Sequence, residues 1–512
     1  ELCYSPDAKR LVFIRQKAQS YRDAYSPFVS SSDAEIAYLD LKTKEQSLIA
    51  EAEGRSNPHF SNDGERIYLN SMKGLLSIRW DGSDEKEHLK LTGITTYGSS
   101  LEAFHDHKGE HSMLPAHEDA WRERNKPSSA SLLRVSPDGK SVLAQINNDI
   151  YEVHLPFYGQ KAEISVANPS SAAFPARKLT TMGGEFPAWS GDGQKIHWSL
   201  GPAHFVYDLE KAQAFEDSVA AAKKAEEEAK KEAKSDSTSG ESPKEEKAKK
   251  KDKKKDEPKF EAQEIRIPLT YKKDIPKGYT LLKGARLITM KGEEVIEAGD
   301  ILIKDNRIVE IGTSNSFAIP EGTKTVDCSG MTISPGFVDT HAHMWPNWNI
   351  HKNQVWLYAA NLAYGVTTTR DPQTATTDVL TYGDMVEAGM IEGPRIYSTG
   401  PGVGFWSYNI KDLDHAKRVL KQYSDYYQTK TIKMYLTGNR QQRQWIIMAC
   451  KELGLKPTTE GGLDFKLNMT QILDGYPGHE HALPIHPIYE DVIQFVAQSR
   501  TTVTPTMLVA YG

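Results

Sequence analysis

At 512 residues the chain is too long for one ordinary core, and two or three domains are expected. Its 63 Lys and Arg against 69 Asp and Glu give a formal charge of −6, so nothing draws it globally to nucleic acid, and no nucleic-acid partner is expected. Three widely spaced cysteines, Cys3, Cys328 and Cys450, support neither a disulfide framework nor a CxxC zinc site, and no apolar run approaches the ~18–20 residues that span a bilayer. The chain opens on Glu1, within what reads as a repeat. Both ends are expected to be cut from something longer, so a missing signal peptide says nothing about compartment.

Four stretches align in the first two hundred residues: "YSPDAKRLVF" from Tyr4, "FSNDGERIYL" from Phe60, "VSPDGKSVLA" from Val135 and "WSGDGQKIHW" from Trp189. Each reads as an apolar residue, then Ser, Asp and Gly or Ala, and then an alternating strand. Ser and Asp side chains bond the free amides of a tight turn, and Gly accepts positive φ. The spacing exceeds the ~40–50 residues of standard propeller blades, which implies inserted loops. The repeats resemble those of TolB-like or WD40-like β-propellers, so residues 1–275 are expected to be a propeller segment. That resemblance also implies an exported or periplasmic protein, with a surface on which a protein partner could dock.

From 211 to 258 the composition changes to Lys, Glu and Ala with almost no large apolar residue. The first half could form a solvated helix with Glu–Lys pairs, whereas the whole is expected to be a disordered charged insertion within a propeller strand pair. Interleaved acids argue against a nucleic-acid-binding arm.

Residues 279–335 read as short strands separated by KG, AGD and KDN turns. They lead into "SPGFVDTHAHMW", in which His341 and His343 stand one residue apart after an apolar strand. Strand and helix then alternate. Strand two is "AYGVTTTRD", strand three "GPRIYSTGP" and strand four "TKTIKMYLTG". Strand five is "KPTTEGG", strand six "DGYPGHEHALP", and strand seven "RTTVTPTMLVAYG". In a strand, positions i and i+2 share a face, so His341 and His343 are predicted to point into one interior. Neutral imidazoles at that spacing make half of a tetrahedral zinc site.

These residues, in this order, resemble the amidohydrolase superfamily, and most closely its imidazolonepropionase and Xaa-Pro dipeptidase branch. The resemblance implies a small β-sandwich, whose N-terminal part is 279–335, and a metal-dependent TIM-like (β/α)8 barrel. Residues 336–512 would supply barrel strands one to seven. A C-terminal continuation, carrying strand eight and its catalytic aspartate, is expected beyond residue 512.

By the same resemblance the metal site would comprise His341, His343, Lys433, Glu460 and His481. It would hold one or two divalent ions, zinc in the first instance, and Lys433 would be carbamylated by CO2 to bridge them. A lysine reaching solvent or an acid partner is the plainer reading of Lys433. Glu460 stands where the family usually has a histidine, and it could instead cap a helix. In "GHEH", His479 and His481 are predicted to share a face, with His481 as the ligand and His479 as its partner or substitute. Lys433 and Glu460 are the candidate catalytic groups. Arg370 and Asp371 could orient substrate or pair at the rim, and "GPGVGFW" at 400–406 reads as a flexible loop over the mouth. The implied activity is hydrolysis of amide, lactam or peptide-like C–N bonds in a small molecule or short peptide. The alternative is a propeller-based binding protein with a decayed or incomplete site.

Overall fold

A computed structural model describes residues 2–16, 34–97, 125–156, 161–235, 258–344, 351–374, 376–404, 410–435, 438–461 and 464–507. The chain divides into two compact units, Glu1–Thr96 with Asn125–Ile267, and Tyr97–Arg124 with Pro268–Gly512. Among the described residues no helix is long and apolar enough to cross a membrane.

Each repeated turn in the first unit closes the opening hairpin of a different sheet. The hairpins pair Leu2–Tyr4 with Arg10–Gln16, Ser56–His59 with Arg66–Ser71, Leu132–Val135 with Ser141–Ile146, and Glu185–Trp189 with Lys195–Leu200. The turn chemistry is the expected one. Ser136 Oγ donates to Asp138 Oδ1 at 2.6 Å, Lys140 N donates to the same oxygen at 3.0 Å, and Gly139 takes φ 74°. The first copy has Ala8 at φ 54°, a left-handed conformation that costs a residue with a Cβ. Alternating residues such as Val12, Ile36, Ile67, Leu69 and Ile78 fill the cores between sheets.

Strand Ala203–Asp208 pairs antiparallel with Gln263–Arg266, so the charged stretch is inserted within a hairpin. Residues Leu209–Ser235 of it form an α-helix, which corrects the expectation of disorder from 211 onward. Ala, Glu and Lys are strong helix formers, and Ala212 is buried where the helix leaves the sheet. Residues 236–257 lie outside the described residues.

In the second unit, residues 279–333 form one five-stranded sheet around Ala285, Leu287, Ile301 and Cys328. A second sandwich layer is not present among the described residues. The alternating part then follows as β1 (Phe337–Asp339), α1 (Trp356–Ala363), β2 (Val366–Asp371), α2 (Asp378–Ala388), β3 (Arg395–Ser398) and α3 (Leu413–Lys421). It continues with β4 (Thr431–Tyr435), α4 (Arg440–Leu453), β5 (Lys456–Glu460), α5 (Phe465–Leu473), β6 (Gly478–Glu480), α6 (Glu490–Ser499) and β7 (Thr502–Thr504). Local signals explain the boundaries. Asn439 and Gln442 form a reciprocal capping box at the start of α4, and Gly454 ends that helix at φ 67°.

All neighbouring strands here are parallel, but they stand in two sheets, β1-β2-β3 and β4-β5-β6-β7, rather than in one continuous barrel wall. Gly400 (φ 69°) and Pro401, which lacks an N–H, interrupt the ladder after β3. The isolated bridge Val403–Met434 carries the connection to β4 instead, while Thr374–Pro401 extends the pairing of β2 with β3. The loop predicted to be flexible at 400–406 is therefore buried through Gly404, and Phe405 and Trp406 lie outside the described residues. Tyr358 and Tyr382, from α1 and α2, pack with Met344 and Val379 beneath β1–β3.

Candidate active site

The two histidines of "THAH" lie just past β1, and their backbone is fixed almost residue by residue. His341 N donates to Asp339 Oδ1 at 3.0 Å, Ala342 N to the Arg370 carbonyl at 3.0 Å, and Met344 N to Asp371 Oδ2 at 3.0 Å. Asp371, wholly buried at the end of β2, also accepts from Gln373 N at 3.0 Å. The Arg370–Asp371 dipeptide thus splits its duties. Its acid ties the segment after β1, and its base turns to other strands.

Arg370 spans from β2 to β5 and β6. Its Nη1 donates to Glu480 Oε1 at 2.7 Å and its Nη2 to Thr458 Oγ1 at 2.9 Å. The other oxygen of Glu480, Oε2, lies 2.9 Å from His341 Nδ1. On β4 and β5, Lys433 Nζ lies 2.7 Å from Glu460 Oε2, and His481 Nε2 approaches that same oxygen at 2.9 Å. The rings of His341 and His481 are 4.9 Å apart, and those of His341 and His343 are 5.2 Å apart. Six side chains from β1, β2, β4, β5 and β6 or their ends therefore meet in one buried polar cluster.

The electrostatics follow from this arrangement. Burial alone would raise the Glu460 carboxyl, but the Lys433 charge and the His481 hydrogen bond outweigh it and hold the group down at about 2. Glu480 is likewise pushed up by burial, yet His341, Lys433 and Arg370 hold it at about 2. Burial lowers His341, Glu480 opposes that, and Lys433 adds to it. His479 is buried, and desolvation followed by the Lys433 charge lowers it to about 4, which keeps it neutral.

Of the five predicted ligands, His341, Lys433, Glu460 and His481 are brought together. His343 stands beside His341 but turns its Nδ1 to the Gln373 carbonyl at 3.1 Å, with Asp371 Oδ1 at 3.6 Å, and its side chain is half-exposed. The shared face predicted for His479 and His481 is not what the strand provides. β6 ends at Glu480, and His481 adopts φ 72°, which breaks the alternation and swings its ring toward Glu460. Strain of this kind in a residue with a Cβ persists only where its surroundings hold it. Here His481 N donates to the Thr504 carbonyl at 2.7 Å, and Nδ1 is bonded to Thr506 Oγ1.

Glu480 and Thr506 carry no site role in the sequence reading, and Arg370, read there as orienting substrate or pairing with Asp371 at the rim, pairs with Glu480 instead. For Glu480 a signal exists, because a carboxylate inside an apolar strand end must find cations.

Among the described residues, no three His, Cys, Asp or Glu side chains already form a cage for an ion. The carboxylates are engaged by the protein's own side chains, one cation and one imidazole each. Glu460 serves Lys433 and His481, and Glu480 serves Arg370 and His341.

No protein-family model matches the chain. Over 65 residues it is 40% identical to dihydroorotase of Citrifermentans bemidjiense, a stretch that covers 12% of this chain and 14% of that enzyme. Over 68 residues it is 38% identical to imidazolonepropionase of Acidiphilium cryptum, covering 12% and 17% of the two. The chain thus matches less than a fifth of the length of these curated relatives. Among solved structures it is similar to a Xaa-Pro dipeptidase with methionine in its active site. That similarity has 17% identity, coverage of 45% of this chain and 67% of the other, and a TM-score of 0.37. The matched proteins are enzymes acting on carbon–nitrogen bonds.

Proposed function

We propose that this protein is an amidohydrolase-type enzyme that hydrolyses carbon–nitrogen bonds in a small molecule or short peptide with the help of a divalent metal. The observation that carries this reading is the buried Lys433–Glu460 pair flanked by the imidazoles of His341 and His481. The donors fit a divalent cation by kind, since imidazole nitrogens and carboxylate oxygens are ligands of zinc and its neighbours. In this reading His341, His343, Glu460 and His481 hold the ion and Lys433 joins them as a carbamate.

A bound ion of this kind supplies Lewis acidity toward the scissile carbonyl and makes water a nucleophile near neutral pH. The protein's own groups set the terms on which that happens. With Lys433 cationic, Glu460 is a weak base and its Oε2 is already engaged. Conversion of Lys433 to a carbamate removes that cation, leaves His481 Nε2 as the partner of Oε2 and raises the proton affinity of Glu460. Glu460 can then take a proton at Oε2 and return it to a leaving nitrogen. Burial of Lys433 and Glu460 keeps bulk water from screening these interactions.

The repeated turns that open each sheet of the first unit support a reading of that unit as propeller blades that screen substrates or dock a partner. Export to the periplasm remains part of this proposal through the TolB-like resemblance of those turns.

The ion pair also favours one other reading, a binding protein in which Lys433 has taken the place of an ion for good. Zinc content and turnover of N-acyl amino acids, dipeptides and lactams, measured on the full-length protein with and without bicarbonate, separate the two. Stoichiometric zinc with hydrolysis that falls in Glu460→Gln and His481→Asn supports the enzyme. A protein that takes up no metal and turns over none of these substrates would sink it.

A further inference from the structure

Glu480 is a two-sided acceptor. Its Oε1 takes the guanidinium of Arg370 at 2.7 Å, and its Oε2 faces Nδ1 of His341 at 2.9 Å. Arg370 is itself fixed by Thr458 Oγ1 at 2.9 Å and the Thr340 carbonyl at 3.3 Å. A guanidinium can only donate, and an ionised carboxylate can only accept. We propose that Arg370 and Glu480 act as a polarity lock, positioning residues that fix His341 as its Nδ1–H tautomer and so leave Nε2 as the lone-pair nitrogen. The inference rests on the proposed metal-dependent reading for its purpose, because only a lone pair can bind a cation. The tautomer itself is a property of the metal-free protein.

The lock has a consequence that a merely space-filling pair would not have. In Glu480→Gln the amide oxygen must turn to Arg370, because Arg370 cannot accept. The amide NH2 then faces His341 Nδ1 and makes that nitrogen the acceptor. The proton moves to Nε2, and the lone pair now points at the introduced amide instead of at the site. Substituting Arg370→Met in the same chain lets the amide rotate, so that its oxygen can accept from Nδ1–H again. The double variant also removes one positive and one negative charge together.

Nitrogen-15 NMR of the imidazoles in metal-free, full-length protein reads the tautomer, with His341→Gln assigning the signal. Wild type should show Nδ1–H, Glu480→Gln should show Nε2–H, and Arg370→Met/Glu480→Gln should regain Nδ1–H in part, because neither amide orientation is then enforced. Zinc affinity by chelator competition should fall roughly 10–100-fold in Glu480→Gln and recover part of that in the double variant, as expected when the partner of a ligating histidine is changed. Thermal unfolding of each variant shows whether it is folded, and the wild-type spectrum decides the matter even if Glu480→Gln is not. An Nε2–H signal in wild type, or a folded Glu480→Gln that keeps Nδ1–H, would overturn the lock. A protein with the expected tautomers but no C–N hydrolysis would sink the proposed function and leave the lock standing.

Discussion

Lys433 Nζ and Glu460 Oε2 lie 2.7 Å apart with both side chains almost wholly withdrawn from solvent. A buried pair of this kind is weakly stabilising as a whole and costly to break in half. Lys433→Met should therefore lower unfolding free energy by roughly 3–5 kcal/mol, because Glu460 is left without its main counter-charge. Lys433→Met/Glu460→Leu should restore most of the loss. Urea denaturation of the four proteins closes the cycle, and strictly additive effects would show that the two groups do not depend on each other.

Thr506 secures a strained histidine. His481 sits at φ 72° with Nδ1 bonded to Thr506 Oγ1, so Thr506→Val removes the hydroxyl that aims the ring at Glu460. Zinc affinity is expected to drop on the order of 10-fold with little change in unfolding midpoint. Equal loss of both would mark Thr506 as a packing residue only.

Gly461 follows Glu460, and a Cβ there would meet Asn468 Oδ1 at 1.6 Å and its Cγ at 2.4 Å. Asn468 is buried on α5 and has little room to give way. Gly461→Ala should cost about 1–3 kcal/mol and displace Glu460. Gly454→Ala meets no atom within 4 Å and serves as a control for its positive φ alone.

His59 in the first unit is wholly buried, and desolvation lowers it to about 4 from 6.5. Its Nε2 accepts from Val135 N at 3.0 Å, so a proton arriving there would face an N–H. The unfolded chain takes up that proton first. Stability should therefore be full above about pH 6.5 and fall as pH drops toward 4, by up to about 3 kcal/mol from this residue. His59→Gln should flatten that part of the stability profile, and an unchanged slope would assign the pH dependence elsewhere.

The four repeats and the seven parallel strands could be read from residue patterns, because turn chemistry and alternation act within a few residues. Lys433 and Glu460 were legible for the same reason, each lying within a regular strand. The period of two failed where strands stop. His343 follows a chain that has already left β1, and His481 itself takes the positive φ just past the end of β6, so face-sharing arguments no longer apply to either. Arg370 and Glu480 are 110 positions apart, and no local pattern can announce that they meet. In the first half of the charged insertion the solvated helix is formed and disorder is not, since Ala, Glu and Lys satisfy helix propensity as readily as they signal disorder.

The contact between His341 and Glu480 closes a span of 139 positions. On a ribosome adding ~5–20 residues per second, the histidines leave roughly 7–30 s ahead of their carboxylate. Through that interval Glu480 is absent to fix the His341 tautomer, and Asp339 is the nearest acid in sequence. Any cation the paired imidazoles capture is held as loosely as by an unstructured peptide. Lys433 and Glu460, only 27 positions apart, can find each other much sooner. The nascent chain can thus neutralise Glu460 with its own Lys433 before Glu480 is available to His341.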